Sequence, residues 1–346
     1  MSRALCIASL AVCALGTACT SILGVTDVPT PADAGTRPDA GSDGSDAADR
    51  CTGCKGKCAL GRCLLTLATN QGSPSSIAVD SAAVFWTTDE SIMREDIGGG
   101  PRSTLVGGQA FPIGLVLGCP DVLWANAEGN SIQAYSFRSD ATTSLAMNQD
   151  NPQGVATDEE NVYFTTTSTV SLVPIGGGTV RVLAGGQNGP VSVAVDANHV
   201  YWSNIGSGNN GSVVESAKTP TDAGALVILA ANQASPQGVA LDATHVYWAN
   251  AGSNSNNDGT IMRVRIGGGT PETIAAGQAS PLMVAVDGEN AYWANNADGT
   301  VRRAPASGGA DQILVSGQMA PDAIAVDPSN VYWTTDVGTV MQTTKD

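Results

Sequence analysis

Histidine is almost missing from this chain: His199 and His245 are the only two in 346 residues. A site built on several imidazoles is thereby excluded, and no HExxH pair, P-loop or nucleophile elbow is present. Basic side chains are scarce as well. Sixteen lysines and arginines face 32 acids for a net charge of −16, and residues 64–346 hold 26 of the acids and 10 of the bases. Such a field repels a phosphate backbone, so nucleic acid is not expected as a partner. Long apolar runs are confined to residues 4–15, too short to cross a bilayer as a helix. With 42% hydrophobic residues, the chain nevertheless has enough apolar surface for a large core.

The first 19 residues, MSRALCIASLAVCALGTAC, place one positive charge at Arg3 before that apolar run and end in small residues at Cys19. This is the pattern of an export signal. The stretch before Cys19 resembles the lipobox of bacterial lipoproteins, although Gly16 stands where the family usually has leucine. The resemblance implies a lipidated Cys19 and a protein held at the outer membrane or cell surface by its lipid, or otherwise secreted. Residues 20–50 are mostly Ala, Asp, Gly, Ser, Thr and Pro and cannot recover the entropy of ordering, so they are expected to form a disordered acidic linker. The next segment, 51–63, spaces Cys51, Cys54, Cys58 and Cys63 as CxxCx3Cx4C. Zinc or two disulfides would suit that spacing, and an oxidising compartment favours disulfides, with three pairings open. Of the eight cysteines, Cys119 is left over, and it reads as a buried inert thiol.

The rest of the chain repeats. Gln71, Gln109, Gln149, Gln187, Gln233, Gln278 and Gln318 each precede a proline by three residues. Nine residues after each glutamine stands an aspartate (Asp80, Asp158, Asp196, Asp242, Asp287, Asp327), with Gly118 as the exception. Fifteen after it come Trp86, Trp124, Phe164, Trp202, Trp248, Trp293 and Trp333, which include every tryptophan of the chain. Spacings of 38 to 46 residues, each unit reading as short strands with turn punctuation, predict an all-β propeller over 64–346. Each unit reads as four strands, a to d. Glycine-rich hairpins such as 97–100 lie between c and d, and the aspartates close the a–b turns. An orphan strand d at residues 64–69 precedes the first strand a, and the last unit ends without one. That arithmetic predicts seven blades, closed by the N-terminal strand as the outer strand of the last blade, with six blades as the main alternative. The tryptophan column is expected to fill the gaps between blades.

The recurring Val-Asp, Tyr-Trp and glycine-rich hairpin resemble the YWTD repeats of low-density-lipoprotein-receptor propellers and, more loosely, NHL repeats. Here Asn or Thr replaces the final Asp (YWSN, YWAN, YWTT), and seven units stand where that family has six. Propeller lyases of the streptogramin-inactivating type and propeller lactonases share the fold class. That resemblance implies histidine and carboxylates gathered with a metal near the axis. His199 and His245 instead occupy one repeat position directly before Val-Tyr-Trp, which reads as a turn position.

Function is expected where the repeats stop matching. The b–c connections expand in two adjacent units, around Asn204, Asn209 and Asn210 and around Asn250, Asn254, Asn256 and Asp258, and Asn295 and Asp298 hold the matching place in the next. These residues are the candidate ligand-binding set. Asn254, Asn256 and Asp258 are candidate calcium ligands, although no cofactor is required. The expectation is a noncatalytic, monomeric propeller of the cell envelope that binds a protein or glycan on its b–c and d–a face, touching the membrane only through its lipid. The alternative is a metal-dependent lyase or lactonase.

Overall fold

The computed structural model describes residues 54–97, 99–118, 121–219, 226–253 and 257–345. Cys19, Cys51, Cys119, Asn254 and Asn256 lie outside them, as do the export signal and the linker. The described chain forms seven antiparallel sheets, six of four strands and one of five. Within each four-stranded sheet, sequence order is spatial order, so every blade is a meander a-b-c-d. The strands a are Ile77–Val79, Pro112–Leu117, Val155–Thr157, Pro190–Val195, Pro236–Leu241, Pro281–Val286 and Pro321–Val326. Each touches the strand a of both neighbouring blades, and the last touches the first, so the ring closes. The seven-bladed propeller is therefore the observed fold.

Closure follows the predicted arithmetic. Arg62–Ala68 pairs with Thr339–Thr344, the strand c of blade 7, and so supplies that blade's strand d. This strand begins inside the cysteine-rich segment. It is covered by an additional outer strand, Lys57–Ala59, which the repeat pattern gave no reason to expect. A Cys54–Cys63 disulfide ties this corner together, and Cys58 is also disulfide-bonded.

The repeated residues hold neighbouring blades together. All six tryptophans are 0% exposed. Trp248 of blade 5 packs with Tyr201, Val213 and Leu229 of blade 4, which places the ring in the gap between sheets. Each tryptophan's indole N–H donates to the glutamine fifteen residues earlier, as in Trp202 Nε1 to Gln187 Oε1 at 2.9 Å. The same glutamine's Nε2 donates to the carbonyl two residues before it, at the end of the preceding blade's strand d. One amide thus latches strand d of one blade to strand b of the next and satisfies a buried indole. In blade 3, where Phe164 replaces tryptophan, Gln149 keeps its carbonyl bond to Met147 and has no indole to accept. Close approach near the axis depends on glycine. A Cβ on Gly114 would stand 2.0 Å from the Gln153 carbonyl oxygen of the next blade.

Candidate functional site

The meander fixes two faces. The a–b turns and c–d hairpins share one, and the d–a and b–c connections share the other. On the turn face the aspartates do what the repeat implied: Asp196 Oδ1 accepts the backbone N–H groups of Asn198 and His199, both at 2.7 Å. Equivalent pairs recur at Asp80, Asp158, Asp242, Asp287 and Asp327. The second carboxylate oxygen accepts a tyrosine hydroxyl in five blades, from Tyr163, Tyr201, Tyr247, Tyr292 and Tyr332. Burial, and then the neighbouring carboxylate, push these phenols well above their ordinary range. Lys218 and Lys345 reach across blade boundaries to Asp158 (2.7 Å) and Asp287 (2.6 Å). These carboxylates are structural.

Both histidines also stand on the turn face. His199 faces Glu215, with Nε2 3.5 Å from Oε1, and His245 Nδ1 lies 2.7 Å from Thr244 Oγ1. Burial first, and then Arg263, hold the His245 imidazole below its usual range. A hollow of about 130 Å³ opens beside it between Arg265, Gly269, Thr270 and Glu272. Neither histidine approaches the axial strands a at their d–a end.

The loop face holds the candidate binding residues and separates them into two kinds. Asn204, Asn250 and Asn295 are buried at the ends of strand b, and each Nδ2 donates to the latch glutamine, Gln187, Gln233 or Gln278, at 2.9–3.0 Å. The same amides reach Ser212, Thr260 and Thr300. Each Oδ1 is buried without a hydrogen-bond partner among the described residues. Asn209, Asn210, Asp258 and Asp298 are exposed. The Asp258 carboxylate accepts Ser253 N (2.9 Å) and Oγ (2.7 Å), closing its own loop, and that pairing holds its pKa below the ordinary range. Asp298 Oδ1 likewise accepts the N–H and hydroxyl of Thr300. Among the described residues, no group of three or more His, Cys, Asp or Glu gathers with the spacing of a metal site.

Charge is divided between the faces in a way the repeat count hid. All ten lysines and arginines from residue 64 onward lie in strand c, in strand d or in the stretch that follows strand c. None lies in a d–a or b–c connection. The loop face by contrast carries Asp89, Glu90, Glu128 and Asp150, then Asp258, Asp298 and Asp336. Asp322 joins them at the head of the blade 7 strand a, where burial and then the nearby Asp336 raise its pKa to about 7. A single-signed face of this kind leaves its field uncompensated.

No family model matches the chain, and no curated protein matches it. Solved structures do. Virginiamycin B lyase from Staphylococcus aureus is similar over 82% of this chain and 98% of its own, at 15% identity and a TM-score of 0.67. A chain of a nidogen/laminin complex is similar over 69% of this chain and 94% of its own, at 19% identity and a TM-score of 0.56. A gluconolactonase-family protein covers 70% of this chain and 91% of its own, at 15% identity and a TM-score of 0.51. At these identities the likeness establishes the β-propeller fold, which in these neighbours carries both catalysis and binding.

Proposed function

We propose that this chain is a noncatalytic envelope propeller, anchored through a lipid on Cys19 and an acidic linker, that binds a protein or glycan on its d–a and b–c face. The observation that carries this reading is the charge partition: no lysine or arginine from residue 64 onward belongs to a connection of the face where the loops vary. Loops on a rigid scaffold are where recognition evolves without disturbing the fold. The histidines and most recurring aspartates are spent on turns and blade contacts, which leaves the loop face, among the described residues, free of structural charge pairs across blades. A metal-dependent lyase or lactonase would need carboxylates of several blades to converge at the axis. Asp322, at the head of a strand a, and Asp336, whose charge adds to the rise of its pKa, both come from blade 7.

Two measurements test the proposal. Full-length chain is immobilised and exposed to envelope extract and to a glycan array, with and without chelator. Retention should be lost when the loop face is altered around the ring, by shortening residues 205–210 and 252–258 to a minimal turn together with Glu90→Lys and Asp336→Lys, and should survive substitutions in the a–b turns. Retention that survives the loop changes overturns the binding face, and turnover lost on chelation favours the enzyme. In intact cells Cys19→Ser should move the protein from membrane to soluble fraction, and unchanged partitioning would remove the lipid anchor from the proposal.

A further inference from the structure

The loop face is not uniform around the ring. Backbone hydrogen bonds join its connections edge to edge all round the ring, and what differs from blade to blade is the side chains they carry. Asp336 N donates to Ala320 O (3.1 Å), Gln71 N to Gly338 O (3.0 Å) and Phe111 N to Asp89 O (3.1 Å). Ser73 N also donates to Asp89 Oδ1 at 3.2 Å, so blades 7, 1 and 2 share one continuous rim. Three large apolar side chains project from this rim into solvent: Met319 at 65% exposure, Val337 at 51% and Phe111 at 38%. Asp89, Glu90 and Asp336 are exposed between them, and Asp322 is half-buried at their inner side. Across the ring, the loop-face connections 166–169, 185–189, 205–210 and 234–235 contain no charged residue.

Exposed carboxylates alone serve solubility, and single exposed apolar side chains are ordinary on a protein surface. The combination on one rim is different. Apolar side chains that could be covered, set among charges of one sign with no base in any neighbouring connection, match the makeup of a recognition surface with an apolar centre and a charged surround. We propose that this rim is the docking surface for a basic, amphipathic segment of a partner protein. Its lysine or arginine side chains meet Asp89, Glu90 and Asp336, and its apolar side chains cover Met319, Val337 and Phe111. The proposal rests on the loop-face reading above and names the partner's chemistry. An anionic surface is repelled here, and a neutral sugar has no use for uncompensated negative charge.

The test uses full-length chain and a fluorescein-labelled lysine-rich peptide with leucine at every third position, followed by anisotropy. A peptide with glutamate for lysine and one with serine for leucine serve as controls. Only the lysine/leucine peptide should bind well, with an affinity that falls as salt is raised, because the contacts are exposed ion pairs. Glu90→Lys with Asp336→Lys should weaken binding by about tenfold or more, since like charges then face one another. Glu159→Lys with Glu289→Lys changes the net charge equally on the turn face and should alter binding by less than about twofold at moderate salt, where distant charges are screened. Met319→Ser with Val337→Ser should weaken binding at high salt too, with an unchanged melting temperature showing that the fold survives. Equal weakening by both charge-reversal pairs, or binding that ignores Glu90→Lys/Asp336→Lys, overturns the proposal. If the peptide fails to bind while the extract or array is still retained through the loop face, the basic partner is wrong and the binding face stands.

Discussion

On the turn face of the propeller, aspartate, tyrosine and lysine bond to one another, whereas on the loop face most carboxylates stand in solvent or close their own short turns, with Asp89, which accepts Ser73 N, and the half-buried Asp322 as exceptions. The difference lies in what each face connects. An a–b turn that caps its own backbone also carries a carboxylate oxygen to a tyrosine, and in blades 3 and 6 to a lysine of the next blade. Charge on that face is consumed in holding blades together. The loop face receives its rigidity from neutral groups, the glutamine latches and the asparagines bonded to them. Its charges are therefore left available for something outside the molecule.

The largest way to break this contrast is to open the ring. Deleting residues 64–69, most of the strand d of blade 7, should bare the edge of Thr339–Thr344 and remove on the order of 5 kcal/mol or more, comparable to the whole stability of a marginal domain. Deleting 20–50 should leave the melting temperature unchanged. Equal melting of the two deletions would mean that the ring is held by something other than this strand. Trp248→Ala comes next: emptying the gap between blades 4 and 5 should cost about 3–5 kcal/mol in chemical denaturation, and a loss under about 1 kcal/mol would show that the rings are not the spacers.

The two faces should also respond to pH with opposite sign. Burial tends to raise the Asp158 pKa, but the Lys218 ammonium, the Asn161 N–H and the Tyr163 hydroxyl together hold it below its ordinary 3.8. Its contribution is therefore complete above pH 3.8 and is lost as pH falls through the lower folded value. Lys218→Met should cost on the order of 1–2 kcal/mol at neutral pH by leaving that carboxylate without its cation, and should flatten the acid limb of the stability profile. Asp322 runs the other way. Its folded pKa is raised to about 7, so the native state is relatively favoured below 3.8 and loses that advantage as pH rises through 7. Asp322→Asn should then stabilise the protein at pH 8 by on the order of 1 kcal/mol and change little below about pH 4, a half-buried site being partly screened. A gain that is the same at both pH values would separate it from ionisation.

The smallest effect is expected where the loop face is most exposed. Replacing Asn254, Asn256 and Asp258 with alanine should leave the melting temperature nearly unchanged, because the exposed Asp258 carboxylate bonds to nearby Ser253. If the three hold calcium, millimolar calcium should raise the melting temperature of the native chain and not of the triple variant, since binding to the folded state adds to its apparent stability. An equal response in both would place the ion elsewhere.

Much of the architecture is open to a reader of the residues alone. The glutamine, proline, aspartate and tryptophan spacings report the blade period directly, because every blade solves the same packing problem with the same side chains. The surplus strand at residues 64–69 and the strand missing at the end of the chain announce the closure. The loop-face candidates are less legible. Asn204, Asn250 and Asn295 look like loop residues by composition, yet they end strand b and turn inward to Gln187, Gln233 and Gln278. A signal for this exists, since asparagine follows each of those glutamines by seventeen residues, two past the tryptophan.

Blade count, strand order and the turn role of the aspartates all follow from separations along the chain, which repetition makes visible without any coordinates. Other facts wait on folding: the glutamine as a latch between blades, Lys57–Ala59 as a fifth strand, and the division of acidic residues between a bonded face and a bare one. These depend on which side of a sheet meets its neighbour and on which connections the ring gathers together. A period of about forty residues specifies neither until the seventh blade is closed.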